Sequence, residues 1–245
     1  MKPQKILVYT IVLIFTFQSL QGQRSISKEN DDLITSSELC LTGELFTPDF
    51  IVDGTTYFNS EWLQGNIYLS NGEVVKNKLI KYNGLLDELF WQEPKSKNVI
   101  KLDKEAILQF HFQNLNGDQT VFFKKIKVRR NYISDSSEVF GQVVYEGSLS
   151  LYILHTYKTA GTELFRKNGN LFEKTNYVEE PEYIFRLTSN KTFIIKNLYR
   201  KSFYAFAPDK KDQIKKFFME NRKSKFKNNS ELIRLAQFLS SIVYQ

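Results

Sequence analysis

Short apolar runs with a two-residue period follow one another from Leu39 onward, and turn residues separate them. Four Asn-Gly pairs mark the turns: Asn71-Gly72, Asn83-Gly84, Asn116-Gly117 and Asn168-Gly169. A type I′ hairpin turn needs positive φ at both central residues, which asparagine tolerates and glycine adopts freely. Each pair therefore predicts a β-hairpin, and together they predict antiparallel sheet.

The runs themselves predict strands over residues 66–70, 74–82, 85–91, 121–130, 149–153, 183–187 and 193–195. Within 121–130, one face carries Phe122, Ile126 and Val128, whereas the other carries Lys125, Lys127 and Arg129. An apolar face opposite a basic face is typical of a half-buried strand in an antiparallel sheet.

The apolar period becomes helical after Ala207. Pro208-Asp209 is a helix-start signal, and Asp212 is placed to reach back as in a capping box. A second cap is predicted at 229–231, before an apolar helix face made by Leu232, Leu235, Ala236, Leu239 and Val243. The sequence therefore predicts a mainly β fold over residues 39–207, as an antiparallel meander, a barrel-like sheet or a sandwich. Two amphipathic helices in 208–245 are expected to pack on it and close it.

The first residues have the layout of a secretory signal peptide. Lys2 and Lys5 precede an uncharged, mostly apolar run from Ile6 to Phe17, and a polar stretch containing Gly22 follows. The run is shorter than the ~20 apolar residues that a membrane-spanning helix needs. We expect residues 1–22 to be a signal peptide and 23–38 a flexible leader. The protein is then exported, and is periplasmic, associated with the outer membrane, or secreted.

Composition narrows the class of protein further. With 42% hydrophobic and 15% aromatic residues, the chain can bury enough apolar surface to fold. Its single cysteine, Cys40, excludes an internal disulfide and is expected to be a buried, unreactive thiol.

The positive charge is concentrated at the C-terminal end. From Asp209 to Gln245 there are nine basic and four acidic residues, whereas residues 24–208 are balanced. The candidate contacts with an anionic surface are Lys210, Lys211, Lys215, Lys216, Arg222, Lys223, Lys225 and Lys227. A helix face kept basic for solubility is the favoured interpretation of these residues. If they bind a partner, an anionic membrane leaflet is the first candidate, at about 1 kcal/mol per well-placed Lys or Arg, and another envelope protein is the second. Nucleic acid is not expected for an exported protein.

The sequence offers few groups for catalysis or for metal and cofactor binding. His111 and His155 are the two histidines, and no G-x-S-x-G elbow accompanies them, so we expect structural roles for both. Asp87 and Glu88 are adjacent and would point to opposite faces of a strand. Zinc, calcium and phosphate-loop motifs are absent from the sequence. We therefore expect no catalytic residue, no metal site and no cofactor.

Two stretches carry a resemblance to a known group. They are Trp62-Leu63-Gln64-Gly65-Asn66-Ile67, followed by Ser70-Asn71-Gly72, and the segment 80–89, in which Tyr82-Asn83 precedes Asp87-Glu88. This pattern resembles a group of uncharacterised exported proteins from Bacteroidota over about residues 57–128. The resemblance implies a β-rich body, a C-terminal helical segment and an envelope or secreted location, and it brings no catalytic motif.

Three functional hypotheses follow. The leading one is an exported protein of the cell envelope or medium with a non-catalytic binding or structural role. The alternative is a carrier or sensor that holds an apolar ligand inside a curved sheet, with the helices over one opening. A hydrolase of unknown substrate in the envelope is the third and rests on location alone.

Overall fold

The computed structural model describes residues 41–46, 52–53, 56–115, 119–129, 137–189 and 191–243. All of them belong to one compact unit. The predicted signal peptide, the predicted leader, Cys40 and the Asn116-Gly117 turn lie outside the described residues.

Antiparallel sheet dominates the described part of the chain. Its strands are β1 (Gly43–Leu45), β2 (Val52–Asp53), β3 (Leu63–Leu69), β4 (Val74–Asn83), β5 (Glu88–Gln92), β6 (Val99–Leu102), β7 (Ile107–Leu115), β8 (Gln119–Val128), β9 (Ser137–Tyr145), β10 (Leu149–Leu154), β11 (Tyr157–Lys167), β12 (Asn170–Glu179), β13 (Glu182–Leu187) and β14 (Thr192–Ile195). The main sheet has eleven strands in the order β1-β6-β5-β4-β3-β7-β8-β9-β10-β13-β14. A small second sheet has the order β11-β12-β2, in which β2 runs parallel to β12.

Two α-helices follow the strands, as the sequence predicts. They are α1 (Lys211–Glu220) and α2 (Asn229–Val243), and short 3-10 helices occur at Lys104–Ala106, Arg200–Phe203 and Pro208–Lys210. None of the helices in the described ranges is both long and apolar enough to cross a bilayer. Of the arrangements that the sequence left open, the structure shows an open meander with β1 and β14 at its edges.

Each of the three Asn-Gly pairs in the described ranges joins two antiparallel strands, as predicted, but the backbone conformation of the turns differs. Asn168 and Gly169 have φ of +52° and +81° between β11 and β12, as a type I′ turn requires. After β4 the positive φ instead falls on Asp87, at +55°, so residues 85–87 belong to the turn and not to a strand as predicted. Gly84 is needed there because a Cβ atom would lie 2.5 Å from the carbonyl oxygen of His155.

The strand β8 differs from its predicted pattern. Ile126 and Val128 are buried, but Phe122, expected on the same buried face, is 42% exposed. Val121 and Phe123, on the other face, are also buried. The reason is that β8 packs apolar side chains on both faces, at different points along its length. Lys125 lies on the same face as Val121 and Phe123, and its Nζ donates a hydrogen bond to the carbonyl oxygen of Lys104 at 2.5 Å.

One face of the main sheet, which we call the inner face, carries a cluster of aromatic rings. We define this aromatic cluster as Phe58, Tyr82, Phe110, Phe112, Phe123 and Phe140. Phe123 is fully buried at its centre. Its ring centroid lies 4.9 Å from those of Phe110 and Tyr82, 5.0 Å from Phe58 and 5.8 Å from Phe112. Such pairs add stability beyond the area that they bury.

The helices cover the other end of the same face. Gln142 pairs with Ile153 across β9 and β10, which places Ile153 on the face that carries Phe140. Ile153 belongs to the core that the helices complete. The face that α2 buries is made by Leu232, Leu235, Ala236, Leu239 and Ile242. This confirms the predicted helix face except at its end, where Ile242 is buried and Val243 only partly so.

We predict that Leu235→Ala lowers the free energy of unfolding by about 2–5 kcal/mol, because Leu235 is fully buried between α2 and the sheet. The matched control is Gln237→Ala in the same helix, where the side chain is exposed and the change should stay within about 0.5 kcal/mol. Urea unfolding followed by circular dichroism measures both. Equal losses in the two variants would contradict the packing described here.

Candidate functional site

A groove lies beside the first helix, where two adjoining cavities of about 630 and 640 Å³ share part of their lining. We call it the basic groove and define it by Tyr183 and residues 196–202, 218–219, 221–222 and 224–227. Its walls come from the segment after β14, from the last turns of α1 and from the connector between the helices. The groove is thus formed mainly by loops and by the end of a helix, and Tyr183 of β13 contributes from the sheet.

The connector is fixed by the start of α2. The backbone N–H of Glu231 donates to the side-chain oxygen of Asn228 at 2.9 Å, and the N–H of Lys227 donates to the Glu231 carboxylate at 3.2 Å. This is a reciprocal cap, one residue earlier than predicted. Phe226 is buried with φ of +49°, so Lys225 and Lys227 flank it on the exposed surface. Burial tends to raise the pKa of Glu231, but the hydrogen bonds that it accepts outweigh this and lower it.

The start of α1 differs from the sequence prediction. Pro208 and Asp209 begin a 3-10 turn, and α1 starts at Lys211 without a side-chain hydrogen bond at its cap. Asp212 lies in the first turn but does not close the predicted capping box. Its carboxylate still lies where the helix dipole favours negative charge.

Most of the positive charge in the basic groove has no ion-pair partner among the residues that the structure describes. Its cationic side chains are Lys196, Arg200, Lys201, Arg222, Lys225 and Lys227, and its lining includes no carboxylate. Lys196 forms an ion pair with Glu182 at 3.5 Å. The other five form no ion pair within the described ranges, and the buried Nε of Arg200 has no hydrogen-bond partner there. A cleft lined by one sign of charge concentrates oppositely charged ligands.

Apolar side chains stand beside these charges. Tyr199 is 71% exposed and Met219 60% exposed at the rim. Below them the rings of Phe218 and Phe226 pack with centroids 5.4 Å apart. Burial raises the pKa of Tyr183, and the nearby Glu179 carboxylate raises it further, so this phenol stays neutral. The groove therefore presents cations together with an exposed apolar rim.

The structure divides the residues predicted to contact an anionic surface. Arg222, Lys225 and Lys227 line the groove, whereas Lys223 is exposed next to it. The remaining four, Lys210, Lys211, Lys215 and Lys216, do not line it. Lys211 instead lies 6.0 Å from the ring of Tyr204, and Lys216 pairs with Glu220 along the helix at 4.0 Å.

Sequence reasoning missed half of the groove. Lys196, Arg200 and Lys201, together with Tyr199, come from the segment after the last strand. Net charge summed over residues 24–208 hides this segment, because acidic residues elsewhere in the range balance it. The signal that would have found it is the local run 196–201, which contains three basic residues and Tyr199 and no acidic residue.

His155 joins the second sheet to the main sheet. Its Nδ1 lies 2.6 Å from a carboxylate oxygen of Glu179, and its Nε2 lies 2.8 Å from the side-chain oxygen of Gln142. Its ring packs edge-on against Phe58, with centroids 5.0 Å apart. These contacts use both nitrogens and are those of a structural histidine.

His111 is buried on the outer face, between the rings of Tyr68 and Phe122. Burial lowers its pKa, and its Nδ1 has no hydrogen-bond partner in the described part of the chain. It lies apart from the groove lining and brings no acid–base partner with it. Among the described residues, no group of three or more His, Cys, Asp and Glu side chains could hold a metal ion.

Asp87 and Glu88 do not converge on one site. Asp87 accepts hydrogen bonds from the Tyr82 hydroxyl at 2.7 Å, from the Phe140 amide at 3.1 Å and from Lys104 Nζ at 2.6 Å. Glu88 lies 3.6 Å from Lys101. Asp87 lies in the turn after β4 and not in a strand, and it links β4, β9 and the 3-10 helix at Lys104–Ala106.

No protein-family model matches this chain, and searches of curated proteins and of solved structures found no significant match. The function of the site is therefore inferred from its geometry.

We predict that the folded protein loses stability as pH rises above about 10, the ordinary tyrosine pKa. Burial raises the pKa of Tyr82 well above that value, and the Asp87 carboxylate raises it further. The unfolded chain then releases a proton that the folded chain keeps, which costs about 1.4 kcal/mol per pH unit for each such tyrosine. In Tyr82→Phe the unfolding free energy should fall less steeply with pH, by about 1.4 kcal/mol per pH unit, because the unfolded chain releases one proton fewer.

Urea unfolding at a series of pH values measures this slope. Tyr199→Phe is the control, since Tyr199 is 71% exposed, and it should decline as the unchanged protein does. An identical slope in Tyr82→Phe and the unchanged protein would contradict the prediction.

Proposed function

We propose that this chain is an exported, non-catalytic binding protein of the cell envelope that attaches to an anionic membrane surface through the basic groove. The observation that carries the proposal is a set of five cations without ion-pair partners among the described residues, beside the exposed Tyr199 and Met219. Export is part of the proposal and is supported by the layout of residues 1–22.

The combination of cationic and apolar side chains in the groove favours binding to a membrane over binding to a soluble anion. Basic side chains near an anionic leaflet contribute about 1 kcal/mol each, and this attraction is screened by salt. Tyrosine is enriched at membrane interfaces, where its ring is apolar and its hydroxyl stays wet. A soluble anion needs the charges only, whereas a bilayer also accepts the Tyr199 ring and the Met219 side chain.

The groove has little to offer to catalysis. Its titratable side chains are lysines, arginines and tyrosines, and no carboxylate or imidazole lines it to act as general acid or base. This favours binding over the hydrolase hypothesis. The carrier hypothesis gains no specific support either, because the aromatic cluster fills the inner face where an apolar ligand would sit.

We predict that the triple substitution Arg222→Gln, Lys225→Gln and Lys227→Gln weakens binding to vesicles containing phosphatidylglycerol by about a hundredfold, since it removes three cations from one site. The matched control is Lys211→Gln, Lys215→Gln and Lys216→Gln, which changes net charge equally outside the groove. Cosedimentation with vesicles measures both. Salt should weaken binding of the unchanged protein and the control alike.

Two outcomes would contradict this proposal. Equal losses in the two triple variants would mean that net charge and not the groove drives binding. If the unchanged protein binds vesicles weakly and neither triple variant changes this binding, the basic residues form only a solvated surface. In that case, capture of a defined envelope protein by the groove would identify the other expected kind of partner.

We also predict that Tyr199→Ser weakens vesicle binding by about tenfold at unchanged charge, because it removes an apolar ring from the lipid interface. Leu86→Ser, at an exposed leucine in the turn after β4, is the control and should have no effect. The same vesicle assay at high salt makes the difference clearer, since charge contributes less there. Loss of binding in Leu86→Ser would show that the contact is not specific to the groove.

A further inference from the structure

The hairpin formed by β11 and β12 carries apolar side chains on both of its faces. In its register Phe165 faces Phe172, and their rings stack with centroids 5.6 Å apart. Leu164 and Leu171 lie on the opposite face as diagonal neighbours, since successive strand residues alternate between faces. Their exposed fractions are 66% and 62%. The end of the hairpin thus leaves large apolar surface in solvent.

One edge of this hairpin is also open. Within the described ranges, β11 is the edge strand of its sheet and pairs with β12 alone. Two-stranded hairpins are marginal in water, and a long exposed edge offers unpaired backbone groups to another strand. The ladder is regular from Gly161 to Lys167 but is interrupted near Ala160, where the register shifts. A pairing partner would therefore use the segment beyond Ala160, because a bulge disrupts pairing.

We propose that the partner is a second copy of this chain, whose β11 pairs antiparallel with this β11 about a two-fold axis at Phe165. The two hairpins then form one four-stranded sheet in the order β12-β11-β11-β12. Such an interface is self-complementary, because the same segment supplies both sides.

Charge selects the axis position. An axis at Glu163 would set two glutamates opposite each other, and one at Arg166 would set two arginines opposite each other. An axis at Leu164 pairs no charges. Only an axis at Phe165 sets Glu163 of each copy opposite the lysine at position 167 of the other. Opposite charges across strands stabilise a sheet, and like charges destabilise it.

The same register explains the apolar surface. On one face it lines up four aromatic rings, Phe172 and Phe165 of one copy with Phe165 and Phe172 of the other. On the other face Leu164 lies opposite Arg166 of the second copy, whose aliphatic stem can cover it. The contact is short and belongs to the weak, concentration-dependent class of interface. It is independent of the basic groove.

Sedimentation equilibrium of the purified protein tests the proposal. We expect a monomer–dimer equilibrium at concentrations up to about 1 mM, the range of weak association. Within its own hairpin Glu163 lies opposite Lys174 and accepts a hydrogen bond from Asn176, so Glu163→Lys is combined with Lys174→Glu to keep opposite charges across β11 and β12. This double variant should raise the dimer dissociation constant by about tenfold, since symmetry doubles the lost charge pair. Adding Lys167→Glu swaps the charges across the dimer axis and should restore dimerisation. Glu173→Lys, on β12 away from the open edge, reverses one charge and should have little effect.

A covalent probe tests the axis directly. In a Cys40→Ser background, Phe165→Cys should form an intermolecular disulfide, since the two sulfurs face each other at the axis. Glu173→Cys is the control and should stay monomeric. A monomer at every concentration would overturn the proposal, as would failure of the charge swap to restore dimers. A monomer in which Leu164→Ser weakens vesicle binding would also overturn it, and would assign the hairpin to lipid.

Discussion

Phe123 lies at the point where the inner face of the main sheet meets the second sheet. Its ring contacts Tyr82 of β4, Phe110 and Phe112 of β7, and the ring of His155, with centroids 5.7 Å apart in the last pair. Close packing of this kind tolerates neither a missing nor an added group without cost. The filled inner face and the attachment of the second sheet through His155 both depend on this packing.

The basic groove depends on the sheet indirectly, through the helices that pack on it. The helices rest on β9, β10, β13 and β14, and the connector between them is held by the buried Phe226 and by the Asn228–Glu231 cap. These supports are apolar contacts and hydrogen bonds of the cap, so the cations of the groove are not needed to hold the connector in place. The groove is thus formed largely by loops on a scaffold of sheet and helices.

Much of the fold followed from the sequence. The Asn168-Gly169 turn and most of the apolar face of α2 each reflect a local rule that tertiary packing did not change. Alternation along β8 did not hold, because packing on both faces of that strand overrides the local pattern. The hairpin at Asn83-Gly84 is present, but its second strand starts at Glu88 and not at residue 85. Gly84 lets the backbone of His155 approach, which no local pattern reveals. The Asn168-Gly169 pair predicts the hairpin of β11 and β12, but the bounds of these strands are not predictable from apolar alternation, because both faces are largely exposed. Only the part of the groove around Arg222 was predicted, because Arg200 is distant in sequence and reaches the same groove through the tertiary structure.

The position of α2 has a consequence for biosynthesis. The apolar side chains of β10 that α2 covers come well before the helix in the sequence. During synthesis this part of the inner face therefore stays uncovered until α2 has also emerged from the ribosome, and exposed apolar surface of that kind is prone to aggregation. A chain that stopped before Leu232 would keep this surface exposed to solvent.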